Sequence, residues 1–192
     1  MEWNKIREKG RSLLLPMTKM LSFIPPNILT LSGLAIVALS SVFIGFGKFR
    51  IGGLILILGT LIDAIDGEVA RRTQGCSKVG AFLDSTLDRY GDFFIFSAIA
   101  IAGRGTILTF LSLASMMGAY ITSYTRAKAD SLGVEIKNGL FTRVERIIIV
   151  IIGLLSGPHF IVYFMVILAI GTNITAIQRI AIAYKKLKNG GD

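Results

Sequence analysis

Long apolar stretches separated by short polar segments dominate the chain from residue 27 onward. A helix needs about 20 apolar residues to cross the hydrocarbon core of a bilayer. The pattern therefore predicts an all-α integral membrane protein with six transmembrane helices. The predicted spans are residues 27–46, 51–72, 79–102, 106–129, 143–157 and 160–183. The fifth predicted span is the shortest, and Gly153, Gly157 and Pro158 interrupt its end.

The first 26 residues show a different pattern, in which scattered apolar side chains mix with cations. This composition predicts an N-terminal amphipathic helix on the membrane surface, bent at Pro16; a frayed basic tail is the alternative. The chain is thus divided into a juxtamembrane segment (1–26), a six-helix domain (27–184) and a basic tail (185–192).

Composition agrees with a membrane protein, since 53% of the residues are hydrophobic and the mean hydropathy is +0.67. The net charge of +9 does not predict a nucleic-acid partner, because the basic residues lie beside the spans, where anionic lipid head groups attract them. One side carries only Lys48, Arg50 and Arg104. By the positive-inside rule, we expect a multi-pass cell-membrane protein with both termini in the cytoplasm.

Four aspartates interrupt the apolar pattern of the second and third spans. Asp63 and Asp66 are three residues apart, so they share one face of a helix. Asp84 and Asp88 are four residues apart and share a face of the next helix. If the two helices are antiparallel, Asp63 faces Asp88 and the other two aspartates face each other. We expect this acidic cluster to be open toward the cytoplasmic turn between the helices.

Carboxylates within a span are costly unless they are paired, bind a metal or serve a function. Hard oxygen ligands favour Mg²⁺ or Mn²⁺. A zinc site, a Cys/His nucleophile and a Ser-His-Asp triad all lack parts, because Cys76 and His159 are the only residues of their kinds and fall in different loops.

The acidic residues belong to the longer pattern D-x2-D-G-x2-A-R-x8-G-x3-D-x3-D, which resembles the signature of the CDP-alcohol phosphatidyltransferase family. The eight matching positions are Asp63, Asp66, Gly67, Ala70, Arg71, Gly80, Asp84 and Asp88. Members of that family are membrane enzymes that move a phospholipid group from a CDP-linked lipid to an alcohol and release CMP. The resemblance also implies a homodimer.

The resemblance assigns roles to the residues of this pattern. It implies two Mg²⁺ or Mn²⁺ ions held principally by Asp63, Asp66 and Asp84. It also implies that Asp88 is the catalytic base and a metal residue, in or near the coordination shell of the second ion. It also implies a site for the nucleotide and the CDP-linked lipid. The residues assigned to that site are Asn27, Thr30, Asp63, Asp66, Gly67, Ala70, Arg71 and Gly80.

A second polar segment, residues 123–146, resembles the branch of the family that uses L-myo-inositol 1-phosphate as the acceptor. In that branch a serine and basic residues hold the acceptor's phosphate. The corresponding residues here are Ser123, Arg126, Arg146 and Arg179. Val144 departs from the family pattern, which has proline before the Glu-Arg pair. Other cations near this depth, Lys128, Lys137 and Arg143, are expected to extend to the lipid head groups.

Alternatives to this interpretation remain at this stage. The same arginines would serve glycerol 3-phosphate, which makes phosphatidylglycerophosphate synthase the nearest rival. The lipid tails of the donor, diacylglycerol or archaeol, are left open. A divalent-cation transporter could also carry aspartates in the membrane, although no second acidic segment matches residues 63–88 as paired repeats would require. Membrane prenyltransferases use acidic motifs as well, but without the D-G-x2-A-R pattern.

Overall fold

The computed structural model describes residues 25–73, 78–136 and 139–190, and for residues 26, 27 and 66–73 it describes the backbone only. All regular secondary structure in these ranges is helical. The six helices are α1 (Pro26–Gly45), α2 (Phe49–Thr73), α3 (Lys78–Ala102), α4 (Ile107–Ser131), α5 (Arg143–Ser156) and α6 (Ile161–Lys188). The predicted all-α architecture is confirmed for the described residues.

Helix boundaries follow the predicted spans closely, with one extension. Helix α6 continues through Lys188, past the predicted end of the sixth span at residue 183. Helix α5 ends at Ser156 because Gly157 adopts a φ of 94°, a left-handed conformation that glycine tolerates best. The predicted surface helix, apart from its last two residues, and the residues Cys76 and Lys137 lie outside the described ranges.

Three helices are long and apolar enough to cross a membrane within the described part of the chain: α1, α4 and α6. Helices α2 and α3 are 25 residues long each, but the acidic pattern lowers their hydropathy. Helix α5 has 14 residues, which correspond to about 21 Å. The chain is therefore a helical membrane protein.

Helix α1 packs along α2 and α3, and α4 packs along α6. Helix α3 also contacts α4, while α5 contacts both α2 and α6. Small residues let the backbones approach closely: a Cβ atom added at Gly59 of α2 would lie 3.0 Å from Val37 of α1. At the α4–α6 contact, Gly118 lies directly against Thr172. Small residues at helix contacts are typical of membrane bundles.

Buried hydroxyl groups donate hydrogen bonds to backbone carbonyls of neighbouring helices. Ser40 of α1 bonds the carbonyl of Gly52 at 2.7 Å, and Ser112 of α4 bonds that of Phe96 at 2.6 Å. On the outer surface of the bundle, large apolar side chains are exposed where lipid would contact them. They include Phe46, Phe110, Met117, Tyr163, Ile170 and Ile177.

Candidate active site

Three carboxylates from two helices converge at one end of the bundle. Asp63 lies on α2, and Asp84 and Asp88 lie one turn apart on α3. One carboxylate oxygen from each lies within 4.8 Å of the others. Asp63 and Asp88 thus lie close to each other, as the antiparallel arrangement predicts. Burial decreases toward the turn between α2 and α3, since Asp63 and Asp88 are partly buried and Asp84 is exposed.

Arg143, the first residue of α5, binds two of these carboxylates. Its Nη1 atom lies 2.7 Å from Asp63 Oδ2 and 2.8 Å from Asp88 Oδ1. The expectation that Arg143 extends to the lipid head groups was wrong. A guanidinium placed beside two partly buried carboxylates gains charge-assisted hydrogen bonds that exceed its gain from the membrane surface. The contact ties α5 to α2 and α3.

A cavity lies beside the carboxylates, between α1, α2 and α3. Thr30, predicted to contact the nucleotide, lies on its wall together with Asp63, Asp88 and Arg143. Glycines leave the remaining space open, one from each of the three helices. They are Gly33, Gly59 and Gly91. The cavity is therefore polar at the acidic cluster and apolar farther along the bundle, where leucine and valine line it.

A second acid–base pair lies one turn beyond Asp88. Asp92 accepts a hydrogen bond from Nη2 of Arg146 at 2.8 Å, and both side chains are buried. Sequence reasoning assigned Arg146 to the acceptor's phosphate and missed Asp92. A signal was present, because Asp92 follows Asp88 by four residues and so continues the same helical face.

The other predicted acceptor residues lie in the C-terminal halves of α4 and α6. Arg179 is buried, donates from Nη1 to the carbonyl of Thr122 at 2.9 Å, and lies against Gly139. Its charge is close enough to Arg126 and Arg146 to be repelled by both. Ser123, the residue after Thr122, is half-buried. Arg126 is exposed, with its Nε 3.9 Å from Asp130 Oδ2.

Several residues of the predicted nucleotide site have side chains outside the described part of the structure. The backbone places Asn27 in the first turn of α1, and Gly80 lies in the first turn of α3. The remaining ones lie in the last turns of α2, next to the carboxylates. They are Asp66, Gly67, Ala70 and Arg71.

The described carboxylates fit a hard divalent cation. Mg²⁺ and Mn²⁺ prefer carboxylate oxygens, and Mg²⁺ usually takes one or two carboxylates, keeping its other positions for water or phosphate. Asp63, Asp84 and Asp88 supply three such groups within one cation's reach. Softer metals prefer sulfur or imidazole ligands, so a site made of aspartates does not suit them.

Comparisons with a family model and with known proteins agree over most of the chain. Residues 23–184 match the family model described as CDP-alcohol phosphatidyltransferase. The archaetidylinositol phosphate synthase of Pyrococcus horikoshii is 40% identical over 192 residues, which cover 97% of this chain and 99% of that protein.

Solved structures of the Mycobacterium tuberculosis phosphatidylinositol phosphate synthase have the same fold. The form with bound CDP-DAG superimposes with a TM-score of 0.80 at 26% identity, covering 88% of this chain and 92% of that chain. The complex with manganese and citrate gives a TM-score of 0.81 at 25% identity, with 88% of each chain covered.

Proposed function

The chain belongs to the CDP-alcohol phosphatidyltransferase family, and we propose that it transfers a phosphatidyl or archaetidyl group from a CDP-linked lipid to L-myo-inositol 1-phosphate, releasing CMP. Membership makes the chain a membrane transferase of phospholipid synthesis. The observation that carries the proposal is the convergence of three carboxylates beside a cavity. Relatives named for inositol phosphate products, similar along almost the full chain, support this acceptor.

The donor half of the reaction needs a site for a diphosphate. We assign Asp63, Asp66 and Asp84 as the principal ligands of two Mg²⁺ or Mn²⁺ ions, with Asp88 beside the second. Such ions, when bound, neutralise the diphosphate and stabilise the charge on the departing CMP. A relative of the same fold crystallised with manganese supports a divalent metal.

The nucleotide end of the donor is assigned to the region where α1 meets α2 and α3. Thr30 on the cavity wall supports this assignment. The small residues among the other candidates leave room for the nucleotide beside the helices, and the arginine supplies a fixed positive charge for phosphate. These candidates are Asn27, Gly67, Ala70, Arg71 and Gly80.

Asp88 is assigned as the general base. In this step its carboxylate accepts the proton of the acceptor's hydroxyl group while that oxygen attacks the lipid-bearing phosphorus. The bond between this phosphorus and the oxygen of the CMP phosphate then breaks, so CMP leaves with the electron pair. Asp88 lies close to Asp63 and Asp84 and lines the cavity, which supports this role.

The acceptor's phosphate is assigned to Ser123, Arg126, Arg146 and Arg179. Arg179 lies close enough to Arg126 and Arg146 for both charges to act on it, and arginine binds phosphate oxygens through two parallel hydrogen bonds. Glycerol 3-phosphate carries the same group, so the experiment below tests it as a rival acceptor.

We further propose that the chain crosses the membrane six times. Both termini and the active site then lie in the cytoplasm. The six helices and the concentration of cations on one side support this topology. We also propose a homodimer and the division into a surface segment (1–26), a catalytic domain (27–184) and a basic tail (185–192).

The test is release of CMP by detergent-purified protein with Mg²⁺ and a CDP-linked lipid. CDP-diacylglycerol and CDP-archaeol are each combined with inositol 1-phosphate, glycerol 3-phosphate, inositol or serine. We expect CMP with inositol 1-phosphate and one or both lipids. Release only with glycerol 3-phosphate would retain the aspartate chemistry and refute the acceptor. No release in any combination would refute the proposed activity.

A further inference from the structure

A single nitrogen of Arg143 occupies the point between two of the proposed metal ligands. Nη1 contacts Asp63 Oδ2 and Asp88 Oδ1 at 2.7 and 2.8 Å. The two oxygens come from different helices, and the nitrogen comes from a third. Arg143 therefore bridges the carboxylates in the way that a metal cation would bridge them.

A divalent ion bound to the same two oxygens would overlap this nitrogen. Magnesium–oxygen distances of about 2.0 to 2.1 Å would bring the ion into the space between the oxygens, where Nη1 now lies. Two positive charges at such a short separation also repel each other strongly. The ion and the guanidinium cannot hold both oxygens at the same time.

From this geometry we propose that Arg143 is a built-in competitor of the divalent ion. It neutralises and bridges Asp63 and Asp88 when no ion is bound, and an ion that takes Asp63 Oδ2 and Asp88 Oδ1 displaces it from them. The proposal rests on the proposed function, because it takes these aspartates as the metal site. It assigns Arg143 a positioning role that the family signature, which ends at Asp88, does not contain.

The surroundings of Arg143 allow such an exchange. Its Nε atom is buried without a hydrogen-bond partner in the described part of the structure, so the side chain is held mainly by the two carboxylates. Arg143 also lines the cavity between α1, α2 and α3, which offers space for the displaced guanidinium. Three residues later, Arg146 keeps α5 attached to α3 through Asp92.

Binding of Mn²⁺ to the purified protein, without substrate, tests the proposal. Free Mn²⁺ is measured by electron paramagnetic resonance for the wild type, Arg143→Gln and Arg143→Lys. We expect Arg143→Gln to bind Mn²⁺ about tenfold more tightly, because charge-assisted hydrogen bonds no longer have to be broken. The Mn²⁺ affinity of Arg143→Lys should lie between those of the wild type and Arg143→Gln. Lys128→Gln, which removes an exposed cation of the same basic region, should match the wild type.

Thermal unfolding in EDTA supplies a readout independent of affinity. Without its guanidinium, Arg143→Gln leaves neighbouring carboxylates unneutralised, so its melting temperature should be lower than that of the wild type. Addition of Mn²⁺ should raise the melting temperature of Arg143→Gln more than that of the wild type. If Arg143→Gln does not fold, the Mn²⁺ affinity of Arg143→Lys decides, and an affinity above the wild type supports the proposal.

The outcomes separate this inference from the proposed function. Mn²⁺ binding by the wild type with equal or weaker binding by the Arg143 variants would refute competition and leave the metal site intact. An absence of Mn²⁺ binding in every protein would refute the proposed metal site and, with it, the competition.

Discussion

Nη2 of Arg146 lies 2.8 Å from Oδ2 of Asp92, and the two side chains are only 4% and 7% exposed. The pair joins α5 to α3 one turn beyond the proposed base, Asp88. Nε of Arg146 is buried without a hydrogen-bond partner among the described residues. Apart from a 3.5 Å contact from Nη1 to the carbonyl of Phe141, the orientation of Arg146 depends on Asp92. Asp92 is therefore a positioning residue for an arginine proposed to bind the acceptor's phosphate.

Loss of Asp92 should destabilise the protein strongly. Asp92→Ala leaves Arg146 buried and unpaired, a change that costs about 3 to 5 kcal/mol in buried ion pairs. We expect a clear fall in the melting temperature in detergent, together with a higher KM for the acceptor. The control is Asp130→Ala, which removes the acid of an exposed pair with Arg126 and should cost at most about 1 kcal/mol. Equal effects of the two variants would contradict a structural role for the buried pair.

Asp88→Asn should abolish turnover while leaving binding of CDP largely intact. The amide keeps the size of the side chain but cannot accept the proton of the attacking hydroxyl group. Loss of a general base lowers kcat by about 10² to 10⁴. Calorimetric titration with CDP in Mg²⁺ measures the binding of CDP, and the rate of CMP release measures turnover. A variant that retains most of its kcat would exclude Asp88 as the base.

Gly59 and Gly91 should respond differently to replacement by alanine, although both line the cavity. A Cβ atom at Gly59 would lie 3.0 Å from Val37, whereas one at Gly91 would have its nearest neighbours at 3.9 Å. Gly59→Ala places a methyl group tightly against Val37 and, at 3.3 Å, against the backbone carbonyl of Gly33 on α1, and overpacking of this kind costs about 1 to 3 kcal/mol. Gly91→Ala should unfold at the wild-type temperature. Thermal unfolding measures both, and the same melting temperature for the two variants would contradict the packing argument.

Gly139→Ala should weaken binding of the acceptor but not of the donor. The added methyl group would lie 2.7 Å from Nη2 of Arg179, on a guanidinium that also bonds the carbonyl of Thr122. Displacement of one charge-assisted contact to the acceptor's phosphate should raise its KM about tenfold. Steady-state kinetics with each substrate varied in turn provide the measurement. Gly45→Ala, where a Cβ atom meets nothing within 4 Å, serves as the control. If Gly139→Ala raised the KM of the donor and not that of the acceptor, the assignment of Arg179 to the acceptor's phosphate would be wrong.

The helices and the acidic cluster could be predicted from local patterns. Apolar runs indicated all six helices, and the spacing of Asp84 and Asp88 placed both on one face. The family assignment, made from eight positions, is confirmed by the match over residues 23–184. The number of membrane crossings stays a prediction, since three of the described helices satisfy length and composition together.

The partners of the buried arginines could not be predicted in the same way. Arg143 and Asp63 are 80 residues apart, and Arg146 and Asp92 are 54 residues apart. No helical periodicity relates positions so distant, because their proximity depends on how α5 packs against α2 and α3. The sequence alone therefore made Arg143 look like other cations at the membrane surface.

The short length of α5 has a consequence for how the two substrates meet. Its 14 residues correspond to about 21 Å, whereas a hydrocarbon core is about 30 Å thick. If α5 makes the proposed fifth crossing, non-helical chain accounts for the remaining depth. That chain is held within the bundle: the amide of Phe141 bonds Thr175, and the ring of Phe141 lies against Gly171. Irregular backbone at such depth requires burial in protein or contact with water. Under the proposed topology and acceptor site, the segment before α5 would be the side from which a sugar phosphate approaches the lipid's phosphate, so the lipid would react without leaving its leaflet.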